Sequence, residues 1–354
     1  MTSAAFSALA HAARRPAGRR TILLTLAALL AFVTLLAASI GAVPLSLAQV
    51  LAIALRPLGL VLPVHVTSQD VAVFWAIRLP RIVLGILVGA CLGASGAAMQ
   101  GLLRNPLADP GLIGISSGAS FGAALAILLV GAVGTGVPLI PVAAFAGGLL
   151  AAFAAFRIGR EDGHPGSLLL AGIAINALAF AGVGLVIDAA NDAQLRTITF
   201  WTLGSLGGAS WDTLRWTAPP LIVSVFLLQR LARPLNLLLL GDIEARHLGV
   251  RVDRVQRNVI ALAAFGVGAA VSVAGLISFV GLIAPHLVRL VVGPDHRAVL
   301  PGSALVGAIV LLLADLLART AIAPRELAIG ILTALLGAPF LLALLWGGAR
   351  AGRV

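Results

Sequence analysis

The sequence predicts an all-α polytopic membrane protein, and three observations predict it. Hydrophobic residues make up 60% of the 354-residue chain and charged residues only 10%, against about 25% charged in soluble domains. Uncharged runs long enough to cross a bilayer, about 20 residues each, recur along the chain. The basic residues, 24 arginines and no lysine, are divided unevenly among the connecting segments.

The spans follow in order. Residues 21–40 form the first, too long for a signal-peptide core and therefore a retained helix. Residues 82–103 form the second. Residues 110–156 carry no charge over a length sufficient for two crossings, with Pro138 and Pro141 as the break between them. Residues 167–187 give the fifth and 211–229 the sixth, interrupted near its start by Asp212 and Arg215. Residues 259–288 exceed one crossing, and Gly275 and Pro285 divide them into a seventh span and a short eighth ending near Arg289. Residues 299–317 and 327–348 complete ten. The longest loop, 41–77, holds an amphipathic stretch at 46–55 suited to the outer surface.

Placing the N-terminus in the cytosol puts seventeen of the 24 arginines inside and seven outside, Arg78, Arg81 and Arg319 among the latter. That is the asymmetry of the positive-inside rule. The formal charge of +11 thus reflects topology and gives no reason to expect nucleic acid. The absence of lysine excludes a P-loop, whose Lys contacts the nucleotide phosphates, so any ATPase driving transport is a separate subunit that carries the ATP and Mg. A single cysteine, Cys91, inside an apolar run excludes a disulfide framework and a thiolate metal cluster. Neither a metal site nor a cofactor of this chain is expected.

Three local patterns stand out. Gly85, Gly89 and Gly93, and likewise Gly114, Gly118 and Gly122, recur every four residues, which lets helix backbones touch in lipid. Between the second and third spans, RNPLADPGLIG (104–114) is a bent connection with two prolines. The other pattern is a charged island at 233–257, RPLNLLLLGDIEARHLGVRVDRVQR. There Asp242 is suited to cap a helix start, Glu244 adds negative charge to the first turn, Arg246 and His247 fall in the last turn, and Gly249 stops the helix. A capped helix in a loop of a membrane protein is suited to presentation to a partner; the alternative is a solvated connector.

Four blocks carry a family resemblance. RLPRIVLGILVGACLGASGAAMQGLLRNPLADPGLIGISSGASFGA (78–123), LGDIEARHLGV (240–250), SFVGLIAPHLVRLVVGPDHRAVLPG (278–302) and ELAIGILTALLGAPFLLALL (326–345) resemble the FecCD family, permease subunits of ABC importers for iron-siderophores, haem and vitamin B12. The resemblance implies a type II importer fold in one transmembrane domain (1–354): a cytosolic tail (1–20), a first helix (21–40), inverted repeats at 78–190 and 259–348, and a coupling loop at 234–258 between them. It implies a homodimer in the bacterial inner membrane with both termini cytosolic, two cytosolic ATPase subunits and one periplasmic binding protein. Pathway walls come from the fifth and tenth spans. Gly241, Asp242, Ile243, Glu244, Ala245, Arg246, Leu248 and Gly249 match the coupling helix that sits in a groove of the ATPase. Arg78, Arg81 and Arg319 match arginines that pair with carboxylates of the binding protein, where charge sets orientation and association rate. Their alternative is lipid-headgroup snorkelling. Asn105 and Leu107 match the cytosolic constriction, with Gly166 and Ser167 beside it; there HPGS (164–167) stands where other members carry small hydroxyl residues. NPLADPGLIGISSGAS and LRTITFWTLGSLGGASW (195–211) look most like the haem branch, with a ferric siderophore or cobalamin as the alternative cargo.

Two other function classes match parts of the sequence. Gly93-Ala94-Ser95-Gly96 and Gly114-Ile115-Ser116-Ser117-Gly118 fit serine-nucleophile patterns, but the second needs a strand, a strained turn and a helix, and the six histidines lie in tails, loops or span ends. An ion-coupled secondary transporter needs carboxylates inside its spans, whereas Asp188 and Asp315 fall at span ends.

Overall fold

A computed structural model of the chain describes residues 16–130, 139–159, 165–323 and 325–351. Among the described residues the regular structure is entirely helical. Helix α1 (Pro16–Ser39) starts five residues before the expected span and so takes the end of the expected tail into the helix. Proline suits a first helical position, where its missing N–H has no intrahelical partner to lose.

The stretch at 46–55 is α2 (Leu47–Leu55), opened by a capping box in which Ser46 and Gln49 satisfy each other's backbone N–H groups. A second box, Thr67 with Asp70, opens α3 (Ser68–Ala72), which runs through a π-helical turn (Val73–Arg78) into α4 (Leu79–Leu102). Together they form one apolar helix, Ser68–Leu102, of 35 residues. The second span therefore begins well before residue 82, because its two arginines are held inside the protein.

A 3-10 turn at Pro110–Ile113 makes the bent connection, followed by α5 (Ile115–Val130) and α6 (Leu139–Gly159). Pro141 lies in the first turn of α6 and not in a break; Pro138 lies outside the described residues. Next come α7 (Pro165–Ala189), α8 (Asp192–Leu203), α9 (Trp211–Arg230) and α10 (Ala232–Leu238). The chain bends by 52° between α9 and α10. The island contributes α11 (Asp242–His247) and the start of α12 (Val252–Ala274), which Gly275 ends as expected. The rest is α13 (Val280–Val292), α14 (His296–Thr320) and α15 (Ile329–Ala351).

By length and composition six of these helices suffice to cross a membrane, or seven if α9 and α10 form one bent span. The apolar segments Ile115–Leu129, Val280–Val292 and Ile329–Ala343 are shorter.

The core is organised around α4 and α14, which pack antiparallel with backbones in contact. A Cβ on Gly89 would strike the carbonyl of Gly307, and one on Gly93 the carbonyl of Ser303. Gly118 and Gly122 do the same for α5 against Gly147 and Ala143 of α6. The ridges are thus real but shorter than their sequence period: Gly85 meets side chains of Leu312 and Leu206, and Gly114 closes the 3-10 turn. Over an apolar stretch of 18 residues in each, 78% of the α4 span is buried, against 22% of α7. So α4 is the hub, and α7 turns most of its surface to lipid or to another chain.

Candidate coupling, gate and docking sites

The short helix α11 is built by its ends. Gly241, at φ 122°, is the N-cap residue and offers no side chain; Asp242 is the first helical residue and does not cap it. Its carboxylate is taken instead by Arg104, which pairs with it from the end of α4. At the other end Gly249 (φ 83°) allows the Val250 N–H to reach the Ala245 carbonyl at 2.9 Å and its own N–H to reach Arg246 at 3.0 Å. This two-bond stop needs the left-handed conformation that glycine adopts without strain. Ala245 is fully buried and seats the helix, whereas Ile243 and Leu248 are 68% and 58% exposed, with Leu240 beside them at 61%. Glu244 is exposed, and Arg246 pairs with Asp253 at 3.1 Å. An amphipathic connector would turn such residues inward; here they project from a charged segment.

Arg104 also ends α4 in the same kind of stop, the Asn105 N–H bonding the Gln100 carbonyl at 3.2 Å. It does so at φ 48°, where a non-glycine side chain costs roughly 1–2 kcal/mol. A strained residue is thereby held next to the expected gate. Asn105 is exposed and accepts the Leu107 N–H at 2.9 Å, so Asn105 and Leu107 form one tight turn. Asp109 accepts the Gly111 N–H at 2.8 Å, and burial pushes its carboxyl above the usual range, against that hydrogen bond. Gly166 and Ser167 lie in the first turn of α7, Gly166 facing open space, while His164 lies outside the described residues. Further along α7, Asn176 holds the bent connection, donating to the carbonyls of Gly111 and Leu112 at 3.3 and 3.4 Å and accepting from Ser117. Of the two serines that fit nucleophile patterns, Ser95 is fully buried and Ser116 is half-buried.

A second tie runs from α10 to the start of α14. Asn236 donates to Asp295 at 2.6 Å and accepts from the His296 N–H at 2.8 Å, and the His296 Nδ1 lies 2.9 Å from the same Asn oxygen. Asp295 also pairs with Arg19 of α1. Burial opposes its charge, but hydrogen bonds from the Arg297 N–H, Asn236 and Arg19 prevail and hold its carboxyl below the usual range.

At the opposite end of the α4 and α14 pair lie the three arginines expected to dock a partner. Arg81 bonds Asp315 at 2.9 Å and grips Glu326 with both terminal nitrogens, each at 2.9 Å. Arg319 lies 3.6 Å from Asp315 and donates to the Ala37 carbonyl at 2.6 Å. Arg78 is only 4% exposed and donates to the carbonyls of Ala38, Ser39 and Val43. All three guanidiniums are engaged within the chain, Arg78 and Arg319 bracing the end of α1 and the loop after it and Arg81 tying α14 to Glu326, because a buried cation must find acceptors. Hydrogen bonding from Arg81 holds the Glu326 carboxyl below its usual range, against partial burial and with help from Arg319. Asp315 and Glu326 were missed as partners, although Asp315 and Arg319 stand four apart on one helix, a legible spacing.

The FecCD transport family matches residues 29–347. The hemin transport system permease protein HmuU of Yersinia pestis is 50% identical over 270 residues, covering 75% of this chain and 80% of that protein. The cobalamin import system permease protein BtuC of Halobacterium salinarum is 48% identical over 272 residues, covering 76% and 72%. The vitamin B12 import system permease protein BtuC of Escherichia coli is 42% identical over 282 residues, covering 79% and 84%. A solved structure, described as an inward-facing conformation of a metal-chelate type ABC transporter, superposes with a TM-score of 0.82 at 33% identity, over 93% of this chain and 99% of that one. A helical membrane chain with a presented helix between two long apolar halves, matched along nearly its whole length, belongs to the FecCD transport family.

Proposed function

We propose that the chain is the permease subunit of an ATP-driven importer that carries haem from a periplasmic binding protein to the cytosol by alternating access. As a member of this family it is a pore subunit and not an enzyme, and the ATPase is a separate subunit. The observation that carries the reading is α11, a helix fixed at both ends that leaves Ile243 and Leu248 exposed. Exposed apolar side chains outside the spans mark a contact surface. In this reading α11 sits on the ATPase, and its movement reaches the pathway by two ties: Asp242 pulls Arg104, which adjoins the Asn105–Leu107 turn, and Asn236 pulls α14 through Asp295.

The assembly we propose is a homodimer in the inner membrane, with ten helices per chain, both termini cytosolic, and two ATPases and one binding protein attached. The largely exposed α7 supports a second copy packed there, lining a shared pathway. The outer ion cluster would brace the rim on which the binding protein lands, and Arg325, exposed beside Glu326, is the cation there available to meet acidic lobes. Haem is preferred on the 50% identity to the hemin permease, and cobalamin is the competing cargo on the 48% and 42% identities. A ferric siderophore is the third.

The test is ATP hydrolysis by the reconstituted complex with binding proteins loaded with haem, cobalamin or a ferric siderophore. Stimulation by the haem-loaded protein alone is expected, with no hydrolysis by the chain without its ATPase. Stimulation by another cargo in place of haem overturns the cargo, and hydrolysis by the chain alone overturns the class.

One substitution separates coupling from stability. Arg104→Gly removes the left-handed strain, worth roughly 1–2 kcal/mol, and loses a half-exposed ion pair worth about 0–1 kcal/mol. The variant is expected to melt no lower than the parent while transporting more slowly, as thermal unfolding and uptake measured on one preparation would show.

A further inference from the structure

At the bend between α9 and α10 an open cavity of about 410 Å³ is lined by Gln229, Arg230, Ala232, Arg233 and Arg297. None of its three arginines forms an ion pair with a carboxylate among the described residues. The acid adjacent in sequence, Asp295, is occupied by Arg19, Asn236 and the Arg297 N–H. Three cations thus line one concave site, and among the described residues no carboxylate pairs with any of them.

Position gives the ligand. On α9, directly before the cavity, Ile222, Val223, Phe226 and Leu227 are exposed, an apolar strip on a span. Arg230 then lies 4.6 Å over the Phe226 ring, its charge turned to the polar end of that strip. The cavity therefore lies where hydrocarbon gives way to headgroups. An amphiphile whose phosphate enters the cavity and whose acyl chains lie along the strip satisfies both surfaces; a soluble anion satisfies only the first.

We infer that Arg230, Arg233 and Arg297 form a binding site for the phosphate of an anionic phospholipid in the cytosolic leaflet. The inference rests on the cytosolic placement of this end of α9 under the proposed function. Basic pockets between helices on this side of a membrane hold anionic headgroups, each cation near the surface contributing about a factor of five in affinity. Held there, the lipid would fill the bend that leads into α10 and the coupling helix.

The test uses the purified full-length chain without ATPase or cargo, so failure of the import reading leaves it intact. Native mass spectrometry would follow binding of phosphatidylglycerol and phosphatidylcholine to the parent and to an Arg230→Gln, Arg233→Gln, Arg297→Gln triple variant. Phosphatidylglycerol is expected to bind the parent preferentially and the triple variant about a hundredfold more weakly, with inorganic phosphate a poor competitor. Should the triple variant not fold, Arg233→Gln and Arg297→Gln singly are each expected to weaken phosphatidylglycerol binding about fivefold. Equal binding of both lipids to the parent, or unchanged phosphatidylglycerol binding in the variants, overturns the site. Displacement by inorganic phosphate as readily as by lipid overturns the lipid in favour of a soluble anion.

Discussion

Asp315→Ala is expected to destabilise the protein by about 3–5 kcal/mol, the cost of leaving a buried charge without its partner. Asp315 is 1% exposed and stands between Arg81 and Arg319. Without it Arg81 keeps only Glu326, whose side chain is 45% exposed, and Arg319 keeps only backbone. The damage should spread along α1, because Arg78 and Arg319 hold its last carbonyls. Glu326→Gln removes the solvent-facing member of the cluster and should cost about 1 kcal/mol or less. Thermal unfolding of the two variants side by side checks the ranking; equal losses would place the energetic centre of the cluster at its rim.

Gly93→Leu is the second large effect. A side chain there meets the Ser303 carbonyl, so α4 and α14 must part before it fits. Neighbouring Gly89 and Gly307 depend on the same approach, and the loss is expected to reach or exceed about 3 kcal/mol, the upper end for overpacked cores. Gly184→Leu is the control, since a Cβ at Gly184 meets nothing within 4 Å. Detergent melting curves should show the first variant strongly lowered and the second near the parent. Because the α4 and α14 pair joins the coupling end to the outer cluster, Gly93→Leu should also reduce transport more than its stability loss explains.

How much was legible in the chain varied with the range of the interactions involved. Long uncharged runs announced most spans, because a bilayer tolerates little else. The ends of the second span were not legible: Arg78 and Arg81 look like a boundary until their partners, up to 245 residues away, are known. Likewise α11 could be read from its own residues through Gly249, but the role of Asp242 could not, since Arg104 reaches it from 138 residues away. Helix α8 was missed although its Asn191–Gln194 capping box was in plain view; its sequence has too few apolar residues to read as a span. The packing glycines were legible by period, and only the structure distinguished Gly89 and Gly93, which touch backbone, from Gly85 and Gly114.

Transmission of the work of a separate ATPase to the pathway through α11 is tested most directly by ATP-driven uptake into proteoliposomes. Vesicles would hold the chain with its ATPase, the loaded binding protein would be supplied at the outer face, and the parent would be compared with Ile243→Asp, Leu248→Asp. Both residues are exposed in the chain, so the variant should fold normally while losing two apolar anchors of the contact. Uptake is expected to require ATP, the ATPase and the binding protein together, and to fall by more than about tenfold in the double variant. Undiminished uptake and ATPase association in that variant would contradict transmission through α11 and leave it a connector.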